Sequence, residues 1–423
     1  MWLESLSSDD HAPLLTPPGR PGLSRTRLPL RVLMYSHDTF GLGHLRRSRV
    51  IAEALTRQNS AIEVTILTGA PDVAAFPDGD RIRQIRLPPV KKLASGAYVS
   101  WNSAVPYPET IAVRRAIIRT EAARLSPHLM IVDKEPGGLE GELLPALAVL
   151  REIGSTIVLG LRDVLDAPDT LRLEWQHKGA TAYIERFYDE LWVYGPSDFY
   201  DPLQGIPLPE RLRDRVRFTG FLARSASCGA PHPHRSGNYL LVAAGGGGDG
   251  YPLLSAALDG LRASRELDTV IVTGPYMHCE EFLDLQRRAS TLRHVKIVRF
   301  DPRMQDLVAG ARAMIAMCGY NSFCEALSFD IPTLYVPRTA PRQEQWIRAQ
   351  RSHALGWSAI LTGEQAEDRS EFAAAIDRLM FQLPPSRSVR RPDLGGLGSI
   401  GGLVSQAISP AWATGGRGLA SGP

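Results

Sequence analysis

Residues 318–345 read CGYNSFCEALSFDIPTLYVPRTAPRQEQ and follow a short apolar run, Ala313–Met317 (AMIAM). That run has strand length and is closed off by a glycine turn, so it reads as a buried strand. Gly319-Tyr320-Asn321-Ser322 then turns the chain into a helix over about Ser322–Phe329. Asn or Ser can cap such a start. Left uncapped, the same amides would hold an anion such as a nucleotide diphosphate. Glu325 falls in the first turn, where its carboxylate can accept both hydrogen bonds of a ribose diol. A second strand follows at Thr333–Val336, and Glu344-Gln345 stand seven positions beyond Pro337. An acid beside an amide in a strand-end loop suits sugar hydroxyls, although alone such a pair reads as a solvated surface dipeptide.

Outward from this stretch, strand and helix patterns alternate, as in parallel sheets wrapped by helices. The first half has strand candidates at Arg31–Ser36, Glu63–Thr68, Ile82–Leu87, Leu129–Asp133, Thr156–Leu161, Leu191–Tyr194 and Val216–Thr219, with helices such as Ser48–Gln58 and Thr110–Leu125 between them. Leu222–Gly237 is small-residue and Pro-containing, which reads as a linker. The pattern restarts at Tyr239–Ala244 and continues through Thr269–Thr273 and Val295–Phe300. The expected architecture is α/β, with two Rossmann-like domains, 29–225 and 237–385, facing across a cleft. Gly/Pro/Ser-rich tails, 1–28 and 386–423, read as disordered. Ligands of open parallel sheets bind beyond the carboxyl ends of the strands, so the chemistry is sought in that cleft.

Bulk properties exclude several classes. A 423-residue chain with 44% hydrophobic and 22% charged residues is ordinary for a globular enzyme. A net charge of +3 gives no field that invites nucleic acid. The four cysteines form no metal-type spacing, and no run of eighteen apolar residues spans a membrane. A reduced, cytoplasmic setting is expected, with peripheral contact at the inner membrane face left open.

Three further motifs bear on chemistry. Gly245-Gly246-Gly247-Gly248 follows a strand and precedes a helix, so its amides can point at phosphate oxygens; a flexible turn is the competing reading. Phe40-Gly41-Leu42-Gly43-His44 stands in the same position after the first strand and adds an imidazole suited to proton abstraction near neutrality. His37 and Asp38 are nearby alternates, and a loop-packing His is the bland reading. Arg46, Arg47 and Arg49 suit an acceptor phosphate, or else form a solvated helix face. Arg162-Asp163 would orient His44 or the acceptor, or serve as a structural ion pair. Trp175–Lys178 and Tyr183, Phe187, Tyr188 and Trp192 read as core and helix packing.

Taken together, Cys318, Gly319, Asn321, Ser322 and Glu325, then Ile331-Pro332 and Glu344-Gln345, resemble the donor-binding half of GT-B glycosyltransferases. The likeness is to the UDP-glycosyltransferase signature and to the MurG-like, family 28 C-terminal type. The resemblance implies that Asn321 and Ser322 meet the diphosphate, Glu325 the ribose, and Glu344 and Gln345 the donor sugar. It makes His44 the base of an inverting transfer, with Gly43, Arg46 and Arg47 on the acceptor side. The signature's opening His is Met317 here, which shifts diphosphate binding toward Gly245, Gly246 and Gly247. No D-x-D pair ends a strand, which fits metal-independent transfer; no cofactor is expected. The partners implied are a nucleoside diphosphate sugar, a UDP-sugar first, and an acceptor of unknown identity. A hexosyltransferase is the leading expectation. A sugar-nucleotide hydrolase or epimerase of the same fold, or a non-catalytic nucleotide-sugar-binding partner protein, are the alternatives.

Overall fold

A computed structural model describes residues 29–38, 42–71, 77–93, 97–226, 238–263 and 267–408. The N-terminal stretch 1–28, Phe40-Gly41 and most of the expected linker lie outside the described residues.

In chain order the strands of the first half are β1 (Leu30–Ser36), β2 (Ile62–Thr68), β3 (Ile82–Arg86), β4 (Val90–Lys92), β5 (Tyr98–Ser100), β6 (Leu129–Asp133), β7 (Thr156–Arg162), β8 (Glu190–Tyr194) and β9 (Val216–Phe218). Seven of them form one parallel sheet, ordered β3-β2-β1-β6-β7-β8-β9, while β4 and β5 pair as a separate antiparallel hairpin. The second half contributes β10 (Tyr239–Ala243), β11 (Thr269–Val272), β12 (Val295–Val298), β13 (Ala311–Ala316), β14 (Thr333–Tyr335) and β15 (Ala359–Ile360). These form a second parallel sheet, ordered β12-β11-β10-β13-β14-β15. Runs such as LMIVD and YLLVA are buried at every position, as strands covered by helices on both faces must be.

Both sheets reverse direction beside their first strand, between β1 and β6 and between β10 and β13. Chain leaving the carboxyl ends of those strands cannot be covered by a crossover helix, so each reversal leaves an open crevice. The two crevices face each other.

One hydrophobic core runs across the junction. Phe199 and Phe221 of the first unit interleave with Phe323 and Trp357 of the second. Phe199 stacks on Trp357 at 5.6 Å, and Phe221 meets Phe323 edge-on at 5.3 Å. The disordered tail expected over 386–423 is contradicted as far as residue 408. Residues 386–408 are folded, and a helix, Gly396–Ala407, returns to the first unit and buries Ile400 and Val404. Phe221 N donates to Asp393 O (2.8 Å) and Gln58 Nε2 to Leu397 O (3.1 Å). Gly396 allows this approach, because a Cβ there would lie 2.6 Å from the Phe221 carbonyl oxygen. Residues 409–423 lie outside the described residues. The glycine and serine content of 386–408, which reads as tail-like, serves backbone-close helix packing instead. No helix among the described residues is long and apolar enough to cross a membrane.

Candidate functional site

The β1 crevice is built on the helix Gly43–Gln58. Asp38 holds its start: Oδ1 accepts from Leu45 N (3.0 Å) and Oδ2 from the Thr68 hydroxyl (2.6 Å). His37 is buried with its Nδ1 against the Tyr35 hydroxyl (3.3 Å), and burial pulls its pKa down to about 3. Both alternates to His44 are therefore committed to structure. His44 lies with Nδ1 against the Asp133 carboxylate at the end of β6. Asp133 is further gripped by Arg47, which donates from Nε (2.9 Å) and Nη2 (2.7 Å). Burial alone would push the Asp133 carboxyl up, but Arg47 and His44 outweigh it and hold it well below the ordinary carboxylate range. Burial lowers the His44 pKa, and Asp133 partly offsets that. An ionised carboxylate on Nδ1 fixes the proton there, which leaves the Nε2 lone pair as the basic end.

Strand adjacency puts Asp133 here. Because β6 pairs with β1, the aspartate ending LMIVD lands beside the loop that follows RVLMYS. Arg162-Asp163, the orienting pair suggested by sequence, does not reach His44. Arg162 pairs with Glu344, and Asp163 accepts from Arg348 at 2.7–3.1 Å. The arginine run does not act as one clamp either. Arg46 pairs with Glu325, Arg47 with Asp133, and Arg49 with Glu53 and the Pro77 carbonyl. Arg46 and Arg47, adjacent in the helix, leave it about a hundred degrees apart, and Arg49, one turn on from Arg46, is taken up by Glu53 of its own helix and by the Pro77 carbonyl.

Across the junction, β13 runs through Met317 and Cys318 (φ 66°) into the helix Tyr320–Ser328. No side chain caps this helix. Ser322 Oγ donates to Gly319 O (2.9 Å), while Asn321 donates to Gly43 O (3.0 Å) and accepts from Arg224 (2.9 Å). The capping reading of Asn321 and Ser322 therefore falls away, and the helix start keeps the positive end of its dipole for another partner. Tyr320, at the signature's Trp position, sits with the Arg47 and Arg348 guanidiniums each 5.7 Å from its ring, and its hydroxyl donates to Tyr194 O (2.8 Å). Glu325, buried one turn in, faces Arg46.

The glycine run follows β10. Gly247 (φ 91°) lies so close to the next loop that a Cβ would meet the Thr273 carbonyl oxygen at 2.3 Å. The run is thus a fitted turn beside the helix Tyr251–Ala263. Asp249, at its end, pairs with Arg338. Arg338 also approaches Glu344 (3.6 Å) and donates its backbone N–H to Gln345 Oε1 (3.2 Å). Glu344 and Gln345, far from being surface residues, are buried at the start of the helix Glu344–Ala354. Burial would raise the Glu344 carboxyl, but Arg162, Arg348 and Arg338 bring its pKa to about 2. Arg338 thus links Asp249, just past the glycine run, to Glu344 and Gln345.

A concavity of about 600 Å3, lined by Arg31, Glu63, Arg81 and Arg124 among others, lies at the opposite, amino ends of β1–β3. It holds no candidate residue. The crevice geometry, with its paired buried charges, is the better guide to chemistry.

Residues 246–382 match the model of the glycosyltransferase family 28 C-terminal domain. No curated protein sequence matches the chain. Among solved structures, the chain is similar to Medicago truncatula UGT71G1 complexed with UDP-glucose, at 15% identity and a TM-score of 0.59, over 90% of this chain and 99% of that one. It is also similar to Acinetobacter baumannii MurG, at 13% identity and a TM-score of 0.56, over 89% and 100%. A third is CalG4, the calicheamicin glycosyltransferase, at 15% identity and a TM-score of 0.52, over 91% and 96%. The fold is the two-Rossmann GT-B fold of these glycosyltransferases.

Proposed function

We propose that this chain transfers a sugar from a nucleoside diphosphate sugar to an acceptor hydroxyl, with inversion and without a metal. The observation that carries the proposal is the Gly43–Asn321 hydrogen bond, which sets the start of the His44 helix directly against the uncapped start of the helix bearing Glu325. An imidazole with a free basic nitrogen thus faces an anion-binding turn.

In this reading His44 Nε2 takes the acceptor hydroxyl proton as that oxygen attacks the anomeric carbon. The anomeric C–O bond breaks, and its electron pair leaves on the diphosphate. The amides at Gly319–Ser322 and along Gly245–Gly247 stabilise that charge with dipoles fixed beforehand, so little reorganisation is needed. Glu325 takes the ribose diol, and Glu344 with Gln345 the donor sugar. A UDP-sugar is the first candidate, and thermal stabilisation by a panel of UDP-, GDP-, ADP- and TDP-sugars identifies the base. The acceptor is met on the Gly43–Arg47 side, at the membrane surface if it is lipid-linked.

The test separates binding from chemistry. Glu325→Ala removes hydrogen bonds to a charged acceptor and is expected to raise the donor Kd about ten- to hundred-fold. His44→Ala is expected to lower kcat about a hundred-fold or more, with donor Kd nearly unchanged. Calorimetry with the donor and steady-state turnover read the two effects, and wild-type values in both variants would overturn the assignment.

A further inference from the structure

Two guanidiniums of the first unit are parked on the two carboxylates of the second: Arg46 on Glu325 and Arg162 on Glu344. Those acids are 1% and 7% exposed, so their oxygens have almost no water to turn to. A ribose diol or sugar hydroxyl reaches them only by exchange with a guanidinium. The displaced cations, 24% and 13% exposed, then need a new anion, since an unpaired charge in such a place is strongly disfavoured. The diphosphate arriving with the same ligand supplies one.

Position supports the exchange. Arg46 lies in the first turn of its helix, three residues from Gly43, whose carbonyl already touches Asn321 at the start of the opposing helix. Around Glu344 three buried atoms have no hydrogen-bond partner: Arg162 Nε, Arg338 Nε and Glu344 Oε2, the last lying against Arg162 without hydrogen-bond geometry. Buried polar groups left in this condition mark a place for a polar ligand. Met317, at the position where the resembling signature carries a phosphate-binding His, supplies no charge at all.

We propose that Arg46 and Arg162 are ligands of the donor diphosphate, passing from Glu325 and Glu344 to the phosphates as the ribose and sugar take those carboxylates. The proposal rests on the donor-site reading above. It has a consequence that simple steric plugging lacks. A nucleoside without phosphates must displace a cation and offer it nothing, whereas a diphosphate satisfies both sides, and Arg grips phosphate oxygens two at a time.

Uridine and UDP, with the guanosine, adenosine and thymidine pairs in parallel, are titrated calorimetrically into the full-length protein and its Arg46→Ala, Arg46→Lys and Arg162→Ala variants. Arg46→Ala is expected to weaken the diphosphate about ten- to hundred-fold while tightening the nucleoside several-fold, because Glu325 is freed. Arg162 pairs with Glu344, which only the donor sugar takes, so Arg162→Ala is titrated also with UDP-glucose; it is expected to weaken that ligand about ten-fold with uridine affinity unchanged. Arg46→Lys keeps the charge on Glu325 and so the fold; it is expected to lose part of the diphosphate affinity with nucleoside affinity unchanged. If Arg46→Ala tightens both ligands, Arg46 is only a plug, and if it weakens both equally, Arg46 only supports Glu325; either result overturns the proposal. Wild-type protein that binds none of the four diphosphates overturns the donor-site reading, and the exchange with it, a result separate from any arginine variant.

Discussion

Asp133→Asn is expected to lower kcat about a hundred-fold, within what the loss of His44 itself costs, while leaving donor affinity within about two-fold. Asp133 accepts from His44 Nδ1 and takes two donors from Arg47. An amide in its place can satisfy Arg47 with its oxygen but turns its NH2 toward the imidazole, which then protonates on Nε2 and loses its basic end. The pH profile adds a sign. Burial already lowers the His44 pKa, and Asp133 is the main charge opposing that shift. Removing the charge lowers the pKa further. Because the neutral imidazole is the active form, the ascending limb of kcat/KM against pH should move to lower pH even as its plateau collapses. A limb that moves upward, or a plateau near wild type, would mean that Asp133 does not act through His44. Glu325 lies outside this hydrogen-bonded group, so donor Kd serves as the internal control.

The sequence carries the donor side more legibly than the acceptor side, for a physical reason. Cys318–Gln345 is local: strand, uncapped turn, helix and Glu325 lie within one stretch, and the roles proposed for them rest on the resemblance that this one stretch carries. The buried runs likewise set twelve of the strands to within a residue or two, while the short β4, β5 and β15, which carry no such run, go unread. Their order in the sheet is a different matter, because β6 beside β1 is a long-range pairing that no local periodicity encodes. Asp133 is invisible to a local reading for that reason, and Arg162-Asp163, which also ends a strand, reads either as orienting His44 or the acceptor or as structural ion pairing; the structure has each in an ion pair. The strand β7 is one place further along the sheet, and its charges point to the second unit instead. The arginine run misleads in a similar way. Adjacent positions on a helix diverge by roughly a hundred degrees, so a run in sequence is seldom a cluster in space. The C-terminal glycines mislead because close helix packing and disorder both favour glycine and serine; only the facing Phe221 backbone distinguishes them.

Arg348→Met is expected to destabilise the folded chain by about 3–5 kcal/mol, the cost of leaving a buried charge without its partner. Arg348 and Asp163 are both essentially inaccessible, and Arg348 donates to both Asp163 oxygens across the junction. It also donates to the Cys318 carbonyl (2.8 Å), in the turn where Cys318 adopts φ 66°. That backbone is strained for a residue with a Cβ, and the guanidinium holds it in place. Two roles are thus combined in one side chain, and they can be separated. In the double variant Arg348→Met/Asp163→Leu the buried charge disappears along with its partner, and most of the lost stability is expected to return. The Cys318 carbonyl has no donor in either variant, so the donor turn stays loose and donor Kd remains raised in both. Chemical denaturation of the two single variants and the double variant gives the coupling energy; donor calorimetry on the same proteins gives the turn's contribution. A double variant that recovers affinity together with stability would show that Arg348 acts on the turn only through the ion pair. One that recovers neither would place its main effect in its packing against the Tyr320 ring.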